Sequence, residues 1–350
     1  MIDKGIRIRN VYHMLCYAWG YTGNGVDVDL GWESMETLDD LLCSIMVAGV
    51  DNLRMRGFHR AYRQETSELP TIKGRVDVFG SSKPSVKIRK VAVCEYDEYD
   101  MDNQFNRILI STIQSMHKCT EISGLRKQLS RQIPYFNDVS IIRISSASFR
   151  SLVFDRNNAT YRLLMNVCEL YWSDKMSTEA DGNHRFRDFS DDMRMDRIFE
   201  KFLLNFYMRH RRDLKVKVDR FKWRTSGEGY PDYLEYLLTD IVIKDPVRKR
   251  MLIIDAKYYG STLVSRHQRV SVRNSHVAQV FAYMKNHPDS GEYSTQGMLI
   301  YLLSDQEVHV TFPLEGGPIT VNTIDLGKDW RIIEEELLSY LDVMDHNRSS

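Results

Sequence analysis

The chain of 350 residues lacks most of the features that would announce its class. It has only five cysteines, Cys16, Cys43, Cys94, Cys119 and Cys168, an odd and scattered set. None forms a Cys-x-x-Cys pair and no histidines stand beside them at zinc-finger spacing, which argues against a disulfide framework or a zinc ribbon and leaves reduced, buried thiols. No stretch approaches the roughly 18 apolar residues of a membrane span, and the opening MIDKGIRIRN has no apolar run of a secretory leader, so a cytoplasmic protein without a membrane partner is expected. No charge of one sign dominates: Lys plus Arg and Asp plus Glu both total 48, so any attraction to nucleic acid must be local. Helix-turn-helix, zinc-finger and RNP patterns are absent, which removes the common base-reading modules. The phosphate-binding pattern G-x-x-x-x-G-K-[ST] is absent too, so this chain has no P-loop for a nucleotide. There is no internal repeat and no low-complexity tract.

What remains is an ordinary folded composition, 43% hydrophobic, long enough for two domains. Apolar residues recur at helical spacing over 10–21, 34–56, 101–117, 121–132 and 158–173, as in Leu38, Leu41, Leu42, Ile45 and Met46. Between them, residues 59–93 contain KGRVDV and VKIRKVAV around a Gly-Ser-Ser-Lys-Pro turn signal, which predicts a small β unit. Around 174–190 the apolar content drops and Gly, Asn, Asp and Ser accumulate, so a linker or long loop is expected there, dividing residues 1–175 from 176–350. The second half reads as a helix (MRMDRIFEKFLLNFYMRH), strands near 214–222, 234–243, 250–257, 296–303 and 308–313, a helix at 273–286 and a final amphipathic helix at 328–343. That order describes a mixed α/β domain.

The informative stretch is DYLEYLLTDIVIKDPVRKRMLIIDAKYY, residues 232–259. Two apolar strands joined by a turn at Asp245-Pro246 form a hairpin in which Asp240 and Asp255 approach each other. Side chains two apart on a strand share a face, so Asp255 and Lys257 point together. MLIID is apolar on both faces, as in a strand buried mid-sheet. A carboxylate and an ammonium at its end cost several kcal/mol unless they are paired or hold an ion. Mg²⁺, which takes carboxylate oxygens and keeps waters and phosphate oxygens as its other ligands, suits such a site. The chemistry that follows is phosphodiester hydrolysis, with Lys257 orienting water or stabilising charge. A strand-end ion pair between Asp255 and Lys257 is the alternative reading.

Other residues fit the same chemistry, each with a plainer explanation. Glu200, within IFEKFL, is a further metal ligand or orienting group, or else a solvated helix charge. Gln279 and Tyr283, four apart on a helix, face the site or a DNA phosphate, or else pack the core. Eight Lys or Arg residues lie between Arg209 and Arg224, and Arg266, His267, Arg269, Arg273 and His276 form a second basic cluster. Lys222, Arg224, Arg266, Arg269 and Arg273 are the candidates for the DNA backbone, against a reading as solvated loop charges. A second Asp-x-Lys, Asp213-Leu214-Lys215, has no matching upstream acid.

The opening RNVYHMLCYAWGY, the later LPTIKGRVDV and the TDIVI…MLIIDAKYY segment, in this order, resemble the McrC family, the nuclease subunits of McrBC modification-dependent restriction systems. The likeness spans nearly the whole chain. It implies a C-terminal PD-(D/E)XK restriction-endonuclease-like domain, a central mixed sheet flanked by helices, whose metal ligands match Asp240 and Asp255 and whose lysine matches Lys257. It implies an elongated, finger-like N-terminal domain of helices and a β-hairpin. It also implies double-stranded DNA as substrate and an McrB-like AAA+ GTPase ring as partner, which binds the GTP, recognises methylated DNA and is stimulated by this subunit. A non-catalytic activator of the ring with a silent nuclease fold is the alternative. One departure is that Asp240 follows Thr239, whereas the Pro-Asp pair of the family pattern stands at Pro231-Asp232, which keeps Asp232 as a fallback ligand. The acidic run Glu95, Asp97, Glu98, Asp100 and Asp102 and the turn Lys73-Gly74-Arg75 are candidate partner contacts, or solvated turns.

Overall fold

The computed structural model describes residues 6–21, 35, 37–180, 186–225, 234–258, 263–266, 269–303 and 306–344. They gather into two compact units, Asp39–Ala180 and a second formed by Met1–Leu38 with Asp181–Ser350. Among the described residues no helix is long and apolar enough to cross a membrane.

Helix α1 (Ile8–Ala18) opens the chain and α2 (Leu38–Arg56) follows it. The Asp39–Ala180 unit continues with β1 (Ala61–Leu69), β2 (Arg75–Val76), α3 (Val78–Ser81), α4 (Pro84–Arg89), β3 (Ala92–Asp100), α5 (Gln104–Cys119), α6 (Ser123–Gln132), α7 (Ser146–Arg150) and α8 (Tyr161–Ala180). Its sheet has the order β1-β3-β2, with β1 and β3 antiparallel from Ala61↔Asp100 to Leu69↔Ala92. The expected β unit is therefore present, but VKIRKVAV is mostly not strand. Pro84 at the first turn starts α4, and Lys90, in the left-handed region at φ 54°, ends it. The core lies among the helices, where Asn103 caps α5 and Ile108, Leu109, Ile113 and Met116 are buried beside Leu164, Val167 and Cys168 of α8.

The other unit contains α9 (Phe186–His210), β4 (Lys215–Lys217), β5 (Arg220–Phe221), β6 (Leu237–Leu238), β7 (Ile241–Asp245), β8 (Arg250–Lys257), β9 (Leu263–Arg266), β10 (Arg269–Val272), α10 (Asn274–Asn286), β11 (Ser294–Leu302), β12 (His309–Phe312), β13 (Ile319–Ile324) and α11 (Trp330–Ser339). Six strands form a sheet in the order β12-β13-β11-β8-β7-β4. β11 is parallel to β8 and β13, and the remaining pairs are antiparallel, so the sheet is mixed as expected.

Three expectations are corrected. Helix, not loop, occupies most of 174–190, since α8 runs to Ala180 and α9 begins at Phe186; residues 181–185 lie outside the described set. Interior strand β13 was not expected, because Thr320, Asn322 and Thr323 hide its apolar pattern although all six residues are buried. Finally, α1 belongs with the C-terminal residues and not to a continuous domain 1–175. It buries Val11, Tyr12, Met14, Leu15 and Cys16, too much apolar surface for a free helix. Its Asn10 amide donates to the Leu326 and Lys328 carbonyls at 2.7 and 2.8 Å, Asn205 donates to the Tyr17 carbonyl, and the His13 ring stacks on Trp330.

Candidate active site

The turn after β7 fixes the geometry of the hairpin. Asp245 is buried and its Oδ1 accepts the Val247 and Arg248 amides at 2.9 and 3.0 Å, while Lys249 adopts a left-handed φ of 53°. The resulting register pairs Ile241 with Ile254, which leaves Asp240, one step before β7, facing Asp255. Asp240 Oδ2 accepts the Ala256 amide at 2.9 Å. Lys257 ends the strand with its Nζ 2.8 Å from Asp255 Oδ2. The two aspartates and the lysine thus meet as the sequence predicts, on a strand whose residues Met251 to Ala256 are all buried.

Asp255 is wholly inaccessible, and neither of its oxygens takes a well-directed hydrogen bond. The Lys257 ammonium is what faces it. Burial, then the charge of Asp240, pushes its carboxyl up to about 7, with Lys257 acting in the opposite sense. Asp240 is raised too, again by burial, against the Ala256 hydrogen bond and Lys257. An orphaned carboxylate oxygen aimed at a second carboxylate is a pair of hard donors without an acceptor, and a divalent cation fits it.

Helix α9 adds a second layer. Phe199, Phe202, Leu203 and Phe206 are buried, and Glu200 lies next to Phe199 on the same turn. Burial and the charge of Asp240 push the Glu200 carboxyl up to about 7. One turn earlier is Asp196, which sequence reasoning missed; its Oδ1 accepts the Tyr258 amide at 2.6 Å, just past the end of β8, and its charge raises both Glu200 and Asp240. Its four-residue spacing from Glu200 was the available signal. Among the described residues the Glu200, Asp240 and Asp255 oxygens do not close into a three-ligand cluster; the trio that does, with ligand atoms within 4.8 Å, is Glu307, His309 and Glu336. Glu200 therefore faces the pair of aspartates from a separate element without completing a cage.

From the other face, α10 contributes Gln279, whose Nε2 donates to the Tyr283 hydroxyl at 2.8 Å. Tyr283 is a core residue beside Ile253 and Leu299, and its hydroxyl lies in the field of Asp255, Asp240 and Lys257. His276 Nδ1 is 2.7 Å from the Tyr301 hydroxyl, and Tyr301 pairs across β11 with Lys257. Burial, then the charges of Lys257 and Arg273, lowers His276 to about 4, so it is neutral at pH 7.

The basic residues are less concentrated than the sequence suggests. Arg224 is engaged at the C-terminal end of α10, donating to the His287 and Pro288 carbonyls at 3.1 Å. Lys222 is exposed, 5.8 Å from the Tyr236 ring centroid. Arg211 pairs with Asp213 and Lys217 with Asp219, which also removes the second Asp-x-Lys from consideration. Arg273 stands at the N-cap of α10. Arg266 and Arg269 face each other in the β9–β10 hairpin, their side chains outside the described set, as is Asp232.

Three comparisons bear on this geometry. Residues 3–302 match the family described as McrBC 5-methylcytosine restriction system component. The type IV methyl-directed restriction enzyme EcoKMcrBC of Escherichia coli K12 is 28% identical over 345 residues, covering 96% of this chain and 97% of that one. A chain of the half-complex of Thermococcus gammatolerans McrB AAA+ hexamers with bound McrC is similar in fold at a TM-score of 0.60 and 16% identity, covering 96% of this chain and 75% of that chain. With the match running through the hairpin, its two aspartates and its lysine, this chain belongs to the McrBC 5-methylcytosine restriction component family.

Proposed function

We propose that this protein is the DNA-cutting subunit of a GTP-dependent, modification-dependent restriction complex, a PD-(D/E)XK endonuclease that hydrolyses phosphodiesters at Asp240, Asp255 and Lys257. The observation that carries the reading is Asp255: fully buried, without a directed hydrogen bond, opposite another aspartate and beside one lysine. Two carboxylates sharing one lysine at that depth would destabilise the fold without a further cation, since a buried charge left without its partner costs about 1–3 kcal/mol or more.

Asp240 and Asp255 are the residues to hold Mg²⁺. When bound, the ion lowers the pKa of a coordinated water and polarises the phosphate. The chain's own groups do the rest. The Ala256 amide holds the Asp240 carboxylate in place. Lys257 keeps Asp255 ionised when it faces a cation, and presents a positive charge where negative charge builds on the phosphate. Glu200, raised to about 7, exchanges a proton near neutral pH, which suits it to the water side of the reaction. Tyr283, tied to Gln279, and the neutral His276–Tyr301 pair wall the site on the α10 side.

The partner is a GTPase ring of the McrB kind, a reading supported by family membership and by the lack of a P-loop here. The Asp39–Ala180 unit is the part to engage it. That unit exposes Val78, Phe79 and Ile88 at 77%, 83% and 81%, apolar side chains on the short helices α3 and α4 available to a partner surface.

The test is cleavage of 5-methylcytosine DNA with Mg²⁺, GTP and the partner GTPase. Asp255→Ala and Lys257→Ala should each reduce cleavage by at least about 10²–10³-fold while leaving stimulated GTP hydrolysis at the wild-type rate. Cleavage that survives either change rejects the assigned centre.

A further inference from the structure

A separate concentration of ligating side chains lies where the edge strand β12 meets α11. Glu307 precedes β12, His309 opens it and Glu336 projects from α11. His309 Nε2 is 3.6 Å from Glu307 Oε1 and 4.0 Å from Glu336 Oε1. The orientation of the ring is fixed from behind. His309 Nδ1 lies 3.1 Å from Asn322 Oδ1 across the β12–β13 pairing, and the Asn322 amide nitrogen is turned toward Met298 Sδ. With the amide so placed its oxygen faces the ring and accepts from Nδ1–H, which turns Nε2 toward the two carboxylates. Two carboxylates gathered this closely are mutually unfavourable until a cation lies between them. Lys328 fills that role, with Nζ 3.1 Å from Glu307 Oε1 and 3.1 and 3.2 Å from the two Glu336 oxygens.

We propose that Glu307, His309 and Glu336 form a Zn²⁺ site, and that Lys328 is the counter-ion the metal displaces. One imidazole with two carboxylates is a donor set for a late first-row ion and not for Mg²⁺, which takes oxygen and water. Zinc bonds of about 2.0–2.2 Å place tetrahedral ligands roughly 3.3–3.6 Å apart, so closing separations that are all within 4.8 Å takes at most about 1.5 Å, in part-exposed side chains. The Asn322 contact is the outer hydrogen bond that a zinc-bound histidine ordinarily has. Lys328 can leave at small cost, because ion pairs of such exposure are worth about 0–1 kcal/mol each. Glu307 and His309 also line a cavity of about 620 Å³, which gives an ion and its water ligand a way in. Bound there, the metal joins β12, at the edge of the sheet formed by the described residues, to α11.

The site is independent of the nuclease reading, and its test keeps the two apart. Zn²⁺ is titrated calorimetrically into the full-length Asp255→Asn protein, alone and with His309→Ala, Glu336→Gln or Lys328→Ala added, in the presence of excess Mg²⁺. The expected result is one zinc per chain lost with His309→Ala, at least tenfold weaker binding with Glu336→Gln, and about tenfold tighter binding with Lys328→Ala, since the competing ammonium is gone. Equal zinc stoichiometry with and without His309, or an affinity unchanged by Lys328→Ala, overturns the proposal. Unchanged far-UV circular dichroism of the variants excludes unfolding as the cause of a loss.

Discussion

Asp102, in the Asp39–Ala180 unit, and Asp255, in the unit of the mixed sheet, are both largely removed from water, and their surroundings differ completely. Asp102 meets Arg107 through two charge-assisted hydrogen bonds of 2.7 and 2.8 Å and accepts two more from the Ser140 amide and hydroxyl at 2.9 Å. Hydrogen bonding to Arg107, together with Ser140, holds its carboxyl well below the usual range. Asp255 has a lysine on one oxygen, a second aspartate opposite and no directed hydrogen bond, and its carboxyl is pushed up to about 7. The first is a completed structural ion pair. The second is a site whose electrostatics close only when something else enters.

The same substitution should therefore have opposite effects at the two positions. Asp102→Asn removes the charge that Arg107 and Ser140 are arranged around, and chemical denaturation should show a loss of about 2–4 kcal/mol. Asp255→Asn removes a repulsive, desolvated charge, so at pH 8 in EDTA it should stabilise the chain by about 1–2 kcal/mol. A loss of stability there would mean that Asp255 is structural after all.

Their pH dependences should also diverge. Asp102 has a depressed pKa in the folded chain, so its stabilisation is present above the unfolded value of about 4 and disappears as pH falls below it. Asp255 has a raised pKa, so the folded chain keeps a proton that the unfolded chain has released between about pH 4 and 7. Without metal, its contribution to stability falls as pH rises through that window. Wild type minus Asp255→Asn, measured by melting at pH 5 and pH 8, should isolate this slope. A smaller effect is expected from Tyr283→Phe, which costs the Gln279 hydrogen bond, about 0.5–1.5 kcal/mol, and lowers cleavage less than tenfold. A loss as large as that of Lys257→Ala would move Tyr283 from the wall of the site into its chemistry.

Residues whose role is set by local pattern were legible before the fold was. MLIID reads as an interior strand because both its faces are apolar, and a D-x-K at the end of such a strand is too costly to be idle. Asp240 followed from the hairpin turn, since antiparallel register is arithmetic once Asp245-Pro246 is placed. Properties set by tertiary contact were not legible. Nothing in α1 states that its partners lie beyond residue 200, and only the Asn10, Tyr17 and His13 contacts reveal it. Interior strand β13 is disguised by threonines and an asparagine whose polar groups are satisfied across strands, as with Thr311 and Thr320 at 3.0 Å. Of the basic stripe, Arg211, Lys217 and Arg224 are engaged locally with Asp213, Asp219 and the end of α10, which the sequence does not show, while Lys222 stays exposed.

The most direct test of the unfinished Asp255 site is the proton count on adding Mg²⁺. Titrated at pH 6.5 in buffers of different ionisation enthalpy, the wild-type chain should release a substantial fraction of a proton per Mg²⁺ bound, and Asp255→Asn markedly less, because the ion displaces the proton that Asp255 holds near neutrality. Mg²⁺ binding with equal proton release from both chains, or no binding by wild type, would contradict the account.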